Sequence, residues 1–154
     1  MANWPTTKVA LALGSNLGHR QAHLDWAIDQ LRGLLKNLRA SSVVETDPQD
    51  VPDEQPRYLN AVVVGETDLE PQQLIDALMA LERERGRERH SVRAARTLDL
   101  DIILFGDRIV RTPSLEIPHP RFRERAFVLG PLAELEPDWV DPVTGRTVTK
   151  LWGK

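Results

Sequence analysis

Leu98-Asp99-Leu100-Asp101-Ile102-Ile103-Leu104-Phe105 begins as a strict alternation of apolar and acidic side chains and ends as a continuous apolar run. A repeat of two is the signature of an extended strand with one buried and one wet face. Leu98, Leu100 and Ile102 are therefore expected in the core. Asp99 and Asp101 then share the opposite face, about 6.6 Å apart at about 3.3 Å per residue. Upstream, Pro71 suits a first helical turn, and Leu74, Leu78 and Leu81 carry a helix to Gly86, where a glycine C-cap is expected. Downstream, Gly106-Asp107 reads as a two-residue turn into a short return strand over Arg108 to Val110.

Toward the N-terminus, Lys8 to Leu13 reads as a buried strand that stops where Gly14 permits a turn. Leu24, Ile28, Leu31, Leu35 and Leu38 recur at helical steps and predict a helix over about 19–38. Ser41 to Thr46 and Tyr58 to Glu66 read as strands. The proline-rich connection Asp47 to Arg57 is long for a hairpin and is a candidate lid. Arg123 to Leu135 is expected to be helical, with an interruption at Gly130-Pro131. The order strand, helix, strand, strand, helix, strand is the split βαβ pattern. The predicted fold class is α+β and ferredoxin-like: an antiparallel sheet, helices on one face and a C-terminal extension. Many functions share that fold, so function has to be argued from sites.

The 154 residues suit one domain spanning 1–154, and 41% hydrophobic with 28% charged residues is an ordinary globular composition. With no cysteine, disulfides and thiolate metal sites are excluded. The first apolar run, Val9 to Leu13, is far shorter than a signal core or a membrane span, so a cytoplasmic location without membrane association is expected. A monomer is expected as well. A net charge of -3 argues against a general nucleic-acid binder, yet Arg83, Arg85, Arg87, Arg89, Arg93 and Arg96 crowd one stretch. That local concentration points to an anionic ligand.

Asp99 and Asp101 are hard oxygen ligands suited to magnesium, and a same-face pair can embrace two ions roughly 3.5 to 4 Å apart, as in phosphoryl displacement. An isolated Asp-x-Asp in a strand is also what an exposed sheet face looks like. Arg96 three residues before Asp99 shifts the balance, because arginine presents a planar fork to phosphate oxygens. The Gly14-Ser15-Asn16-Leu17-Gly18 loop resembles a phosphate loop but lacks the lysine and hydroxyl residue that one needs, so its glycines are assigned to a tight turn and Asn16 to a cap or a ligand contact. Pro118-His119-Pro120-Arg121 opens a second polar cluster with Arg123 and Arg125, suited to phosphate or hydroxyl contacts. Asn60, in a valine-rich strand, can read the edge of a heterocycle, and Phe127 can stack on one.

Taken in order, several motifs carry a family resemblance. Arg96-Thr97-Leu98-Asp99-Leu100-Asp101-Ile102 is preceded by Gly86-Arg87-x-Arg89 and followed by Pro118-His119 and Arg125-Ala126-Phe127. With Ala12 to Gly18 and Gln55-Pro56-x-Tyr58-Leu59-Asn60, this resembles the 6-hydroxymethyl-7,8-dihydropterin pyrophosphokinases over about Val9 to Leu135. The resemblance implies a ferredoxin-like enzyme of folate biosynthesis that moves the terminal pyrophosphate of ATP to a pterin and releases AMP. It implies that Asp99 and Asp101 hold two magnesium ions, with ATP as co-substrate. Asp99, Asp101, Arg87 and Arg96 are the implied catalytic set. Glu82, Arg87, Arg89, Arg96, His119 and Arg125 are implied ATP contacts, and Thr46, Tyr58, Asn60, Asp99 and Phe127 the implied pterin pocket. Closure of the loops over 47–57 and 87–95 is implied too, although Arg93-Ala94-Ala95 replaces the Trp-Gly-Pro of many members. The competing readings are another two-metal enzyme, such as a nucleotidyl transferase or nuclease, and a noncatalytic ferredoxin-like binding module.

Overall fold

The computed structural model describes residues 6–47, 57–86 and 97–153. The chain runs β1 (Thr7–Ser15), α1 (Arg20–Leu31), β2 (Lys36–Ala40), β3 (Val44–Thr46), β4 (Tyr58–Thr67), α2 (Pro71–Arg85), β5 (Asp99–Phe105), β6 (Val110–Thr112), β7 (Leu115–Ile117), a 3₁₀ turn (Phe122–Glu124), α3 (Ala126–Leu135) and α4 (Val148–Trp152). The main sheet has the order β2-β4-β1-β5, with β3 continuing along β4, and each pairing is antiparallel. This is the ferredoxin-like arrangement expected from the order of elements.

The alternation seen in the sequence sorts the side chains onto two cores. Val9, Leu11 and Leu13 of β1, with Leu98, Leu100 and Ile102, are buried against Leu24 and Leu31 of α1 and Leu74 and Leu78 of α2. Ala10, Val62, Val64 and Leu104 point to the other face, where Val128, Leu129 and Leu132 of α3 and Val148 of α4 cover them. The C-terminal extension therefore supplies the second layer. Between the pairs Leu11↔Ile102 and Ala10↔Leu104, β5 carries one extra residue, Ile103. This bulge puts Ile103 and Leu104 together in the second core.

Five local expectations are corrected. The helix predicted to about residue 38 stops at Leu31, and the chain turns through Gly33, whose N–H donates to Gln30 O at 3.0 Å. Leu35 remains in the first core and Leu38 packs against it, but Leu38 does so from β2. Asn37, at φ 54, takes the irregular position in the β2–β4 pairing, a conformation that asparagine tolerates. The strand expected over 41–46 is ordered as strand only at Val44–Thr46, because Ser42 leaves the sheet and gives its N–H and hydroxyl to Glu134. The return strand expected over 108–110 is displaced to Val110–Thr112, which forms a hairpin with β7 and does not run back along β5. Gly14 lies within β1 and is no turn, and the turn falls at Gly18, with φ 70. Gly130-Pro131 does not interrupt α3, and Pro131 is accommodated as a buried residue inside it.

The C-terminal segment is tied down by a buried ion pair. Asp141, 0% exposed, accepts from Arg123 Nε at 2.6 Å and Nη2 at 2.9 Å, and from the Thr144 hydroxyl at 2.8 Å. Burial pushes its carboxyl pKa up, but these donors and the Val143 N–H outweigh burial and hold it below the usual range. A lowered carboxylate contributes stability above its unfolded pKa of about 3.9, and that contribution disappears as pH falls through the lower folded value. Asp141→Asn should therefore cost about 3 kcal/mol at pH 7, the lower end for a broken buried pair, since Arg123 keeps some solvent contact. In urea titrations the gap between variant and wild type should close below about pH 4.

Two interior glycines lie on neighbouring strands, and packing dictates one of them. A Cβ on Gly65 of β4 would stand 2.9 Å from Leu35 Cβ and 3.2 Å from the Lys36 carbonyl oxygen. Gly65→Ala should destabilise the protein by about 1–3 kcal/mol, read as a lowered melting temperature.

Candidate active site

The pairing of β1 with both neighbours places the chemistry. Gly14 is registered against Asn60 of β4 on one side and Asp99 of β5 on the other, and Asn60 is registered against Val44 of β3. Directly opposed residues point to one face, and adjacent strands lie about 4.8 Å apart, so Asn60 and Asp99 flank Gly14 across roughly 10 Å. One step along, Ala12 is registered against Asp101, and Tyr58 against Thr46. Thr46, Tyr58, Asn60, Asp99 and Asp101 thus share the face opposite α1 and α2, as the alternation predicted for the aspartates.

Asn60 is 6% exposed, and its amide donates to the Thr46 hydroxyl at 2.9 Å and to Val44 O at 3.2 Å. Both amide protons being used inside the protein, the group turned toward Gly14 is Oδ1, an acceptor. It lies 3.4 Å from the place a Gly14 Cβ would take. A ligand edge reading Asn60 there must bring a donor.

Above this face stands the start of α3. Arg125 caps its N-terminus, its guanidinium 5.7 Å from the centre of the Phe127 ring, and both residues line a cavity of about 800 Å³ together with Val44 and Thr46. At the other end of the row, the His119 N–H donates to Ile103 O at 3.0 Å, which seats the imidazole next to the end of β5. Its Nδ1 accepts the Arg121 N–H at 3.1 Å, so the neutral ring carries its proton on Nε2. Burial lowers the His119 pKa first; Asp101 raises it, while Arg125 and Arg121 push it down. The structure thereby brings Asp101, His119 and Arg125 into one electrostatic neighbourhood.

Glu82 sits elsewhere, on α2. Its Oε2 accepts the Leu100 N–H at 2.7 Å, satisfying the outer edge of β5 between the two aspartates. Sequence reasoning had no signal for this brace, since the partner is a backbone group eighteen residues away. Arg87, Arg89 and Arg96, together with most of the two loops expected to close, lie outside the described residues.

Among the described residues no group of three or more His, Asp, Glu or Cys side chains is arranged to hold a metal ion. Asp99 and Asp101 stand as a pair. Magnesium is ordinarily held by one or two carboxylates with substrate phosphates and water completing the shell, so this donor set fits an ion that arrives with a nucleotide and not a self-sufficient protein cage.

The sequence profile of the 7,8-dihydro-6-hydroxymethylpterin-pyrophosphokinase (HPPK) family matches residues 10–137. The chain belongs to this family. It is 43% identical over 146 residues to a 2-amino-4-hydroxy-6-hydroxymethyldihydropteridine pyrophosphokinase of Pseudomonas aeruginosa, covering 94% of this chain and 89% of that one. A protein of the same description from Bacillus subtilis is 42% identical, with 92% and 88% covered. The folic acid synthesis protein fol1 of Pneumocystis carinii is 40% identical over 95% of this chain, but the match spans only 20% of fol1. Among solved structures, an HPPK-DHPS of Plasmodium falciparum superposes with a TM-score of 0.75 at 15% identity, over 97% of this chain and 44% of that one. An HPPK-DHPS crystallised with substrates gives 0.76 at 13% identity, with 97% and 43% covered. At such identities these structures support the fold alone. The chain spans less than half the length of either fused protein.

A nuclear magnetic resonance titration of the His119 imidazole should give a midpoint below 6.5 in the metal-free protein. Asp101→Asn should lower the midpoint further and Arg125→Gln should raise it. Because the folded protein then binds fewer protons than the unfolded chain, His119 subtracts stability as pH falls below about 6.5.

Proposed function

We propose that the chain transfers pyrophosphate from ATP to 6-hydroxymethyl-7,8-dihydropterin, giving AMP and the pterin diphosphate of folate biosynthesis. Family membership supports the reaction, and the observation that carries the assignment to this face is the row Asn60, Gly14, Asp99: an amide suited to a heterocycle's edge and a carboxylate suited to a reacting hydroxyl, joined across one strand. The nuclease and binding-module readings have no comparable support.

In this reading Thr46, Tyr58, Asn60 and Phe127 hold the pterin. Asn60 Oδ1 accepts from the ring, and the aromatic pair confines its faces. The hydroxymethyl oxygen is then directed toward Asp99. That oxygen attacks the β-phosphorus of ATP, the bond from the β-phosphorus to the oxygen it shares with the α-phosphate breaks, AMP departs with that oxygen, and the hydroxymethyl proton is released. His119, neutral at pH 7, offers its Nε2–H to a phosphate oxygen, and Arg125 places a positive charge beside it. Arg87, Arg89 and Arg96 contribute further guanidinium charge as ATP contacts, with Arg87 and Arg96 at the reacting phosphates. Glu82 serves the nucleotide side and braces the strand that carries both aspartates. Asp99 and Asp101 would hold two magnesium ions, which when bound supply Lewis-acid polarisation and charge neutralisation at the phosphates. The alignment of hydroxyl and phosphorus contributes the rest. This reading also takes the working protein to be a cytoplasmic monomer; no helix among the described residues is long and apolar enough to cross a membrane.

Incubation with magnesium, ATP and the reduced hydroxymethylpterin should produce AMP in step with pterin consumption. ADP in place of AMP would indicate an ordinary kinase and sink the proposal. Asp99→Ala and Asp101→Ala should each lower turnover by about a thousandfold or more, as expected for loss of a group stabilising developing charge, with unchanged circular dichroism. Magnesium binding, followed by calorimetry, should be strong only when a nonhydrolysable ATP analogue is present.

A further inference from the structure

Gly14 is an odd residue for its place. It sits in the central strand, paired on both sides and buried, and its φ lies outside the left-handed region. Glycine inside a strand weakens it by chain entropy and by leaving nothing to pack, so a reason is needed. Backbone geometry does not supply one. Nor does packing: a Cβ there would meet Asn60 Oδ1 at 3.4 Å and Tyr58 Cδ1 at 3.5 Å, ordinary van der Waals contacts with two side-chain atoms. Gly65, one strand away, is the contrasting case, since its Cβ would collide with Leu35. The space around Gly14 thus admits a methyl group at ordinary contact, whereas at Gly65 Leu35 or the backbone would have to shift.

What remains is the ligand. We infer that Gly14 is a positioning residue for the pterin: its bare Cα is the ground over which the substrate passes from the Asn60 amide to the Asp99 carboxylate. The inference rests on the functional reading above. If the ring is held at Asn60 and the reacting oxygen lies near Asp99, the substrate has to cross the residue registered between them, and that residue is Gly14. The two atoms nearest its missing Cβ belong to Asn60 and Tyr58, both in the pterin pocket, so a methyl group there would fill the approach to the ring's recognition edge. It would lift the ring from Asn60 Oδ1 and carry the hydroxymethyl oxygen away from its line of attack. Displacements of about 1 Å at a reacting centre can cost about a hundredfold in rate. The nucleotide contacts proposed for His119 and Arg125 stand off this row and should not feel the change.

Gly14→Ala is the variant to make. It should melt at or above the wild-type temperature, bind the nonhydrolysable ATP analogue with magnesium within about twofold of wild type, and show a pterin KM raised at least about tenfold with kcat also reduced. A folded Gly14→Ala enzyme whose pterin KM and kcat stay within twofold of wild type would overturn the inference. A second measurement on the wild type covers the case in which the variant does not fold. In the ternary complex with pterin and ATP analogue, the Gly14 Hα pointing into the pocket should give a nuclear Overhauser contact to the pterin hydroxymethyl protons, and its absence in a saturated complex would overturn the inference as well. A wild type that forms no AMP from pterin would overturn the functional reading itself and remove the basis of this inference, so the two failures are distinguishable.

Discussion

Register along β1 is the constraint from which the site follows. The strand pairs with β4 through nine consecutive residues and with β5 on its other edge. Side chains alternate with a period of two, so a slip of one residue between β1 and β5 would turn Asp99 and Asp101 into the apolar layer beneath α1 and α2 and bring Leu98, Leu100 and Ile102 to the wet face. Burying two carboxylates without partners costs several kcal/mol each. The hydrophobic alternation of 98–102 therefore enforces the position of the aspartates, and the one irregularity, at Ile103, falls beyond them, where both neighbouring side chains can be buried. Glu82 adds a local lock by taking up the outward N–H of Leu100 on the edge strand.

The sheet divides its labour by face. One face is sealed by α1 and α2. The other is shared: α3 and α4 bury its half nearer Ala10, Val62 and Leu104, and the half nearer Gly14 is left to the polar row. What decides where cover ends is the seating of the C-terminal segment, and Asp141, gripping Arg123 from within, anchors the 3₁₀ turn that lies between His119 and Arg125. A small rotation of that turn would move both the imidazole and the guanidinium relative to Asp101. The buried pair thus couples packing of the last residues to the electrostatics of the site.

Much of this was legible in the sequence, and for identifiable reasons. The order of elements and the shared face of Asp99 and Asp101 follow from local periodicity, which needs no knowledge of partners. Leu35 and Leu38 misled, because their apolar spacing fits a helix and they reach the same core from the connection and strand that follow it. Gly14 was assigned to a turn because glycine before a polar pair usually marks one, whereas its strand position is fixed by Asn60 and Asp99, forty-six and eighty-five residues away. Asp141 and Ser42 gave no signal at all, and Glu82 was marked only by the family resemblance, as a nucleotide contact and not as a brace for β5. Each acts through a partner distant in sequence, and nothing in the composition around them distinguishes such a residue from a solvated one.

The two halves of the site differ in how far the protein completes them. On the side proposed for the pterin, Asn60 is already fixed by two hydrogen bonds to β3, so its acceptor is oriented before any ligand comes. Preorganisation of that kind limits what must be ordered on binding and favours a rigid planar ligand. On the side proposed for the phosphates, the described groups are two carboxylates, one neutral histidine and one arginine, which form no closed metal cage. Two adjacent carboxylates repel each other and attract a cation, yet two oxygen donors leave most of an octahedral shell to water and phosphate. In the proposed reading ATP brings the remaining oxygens, and magnesium offsets the repulsion between its phosphates and the two carboxylates. In that proposed reading nucleotide and metal enter as one unit, and their arrival gives the pterin hydroxyl a phosphorus to attack. The sheet thus orients the Asn60 acceptor in advance, while the proposed reacting centre is assembled by the co-substrate.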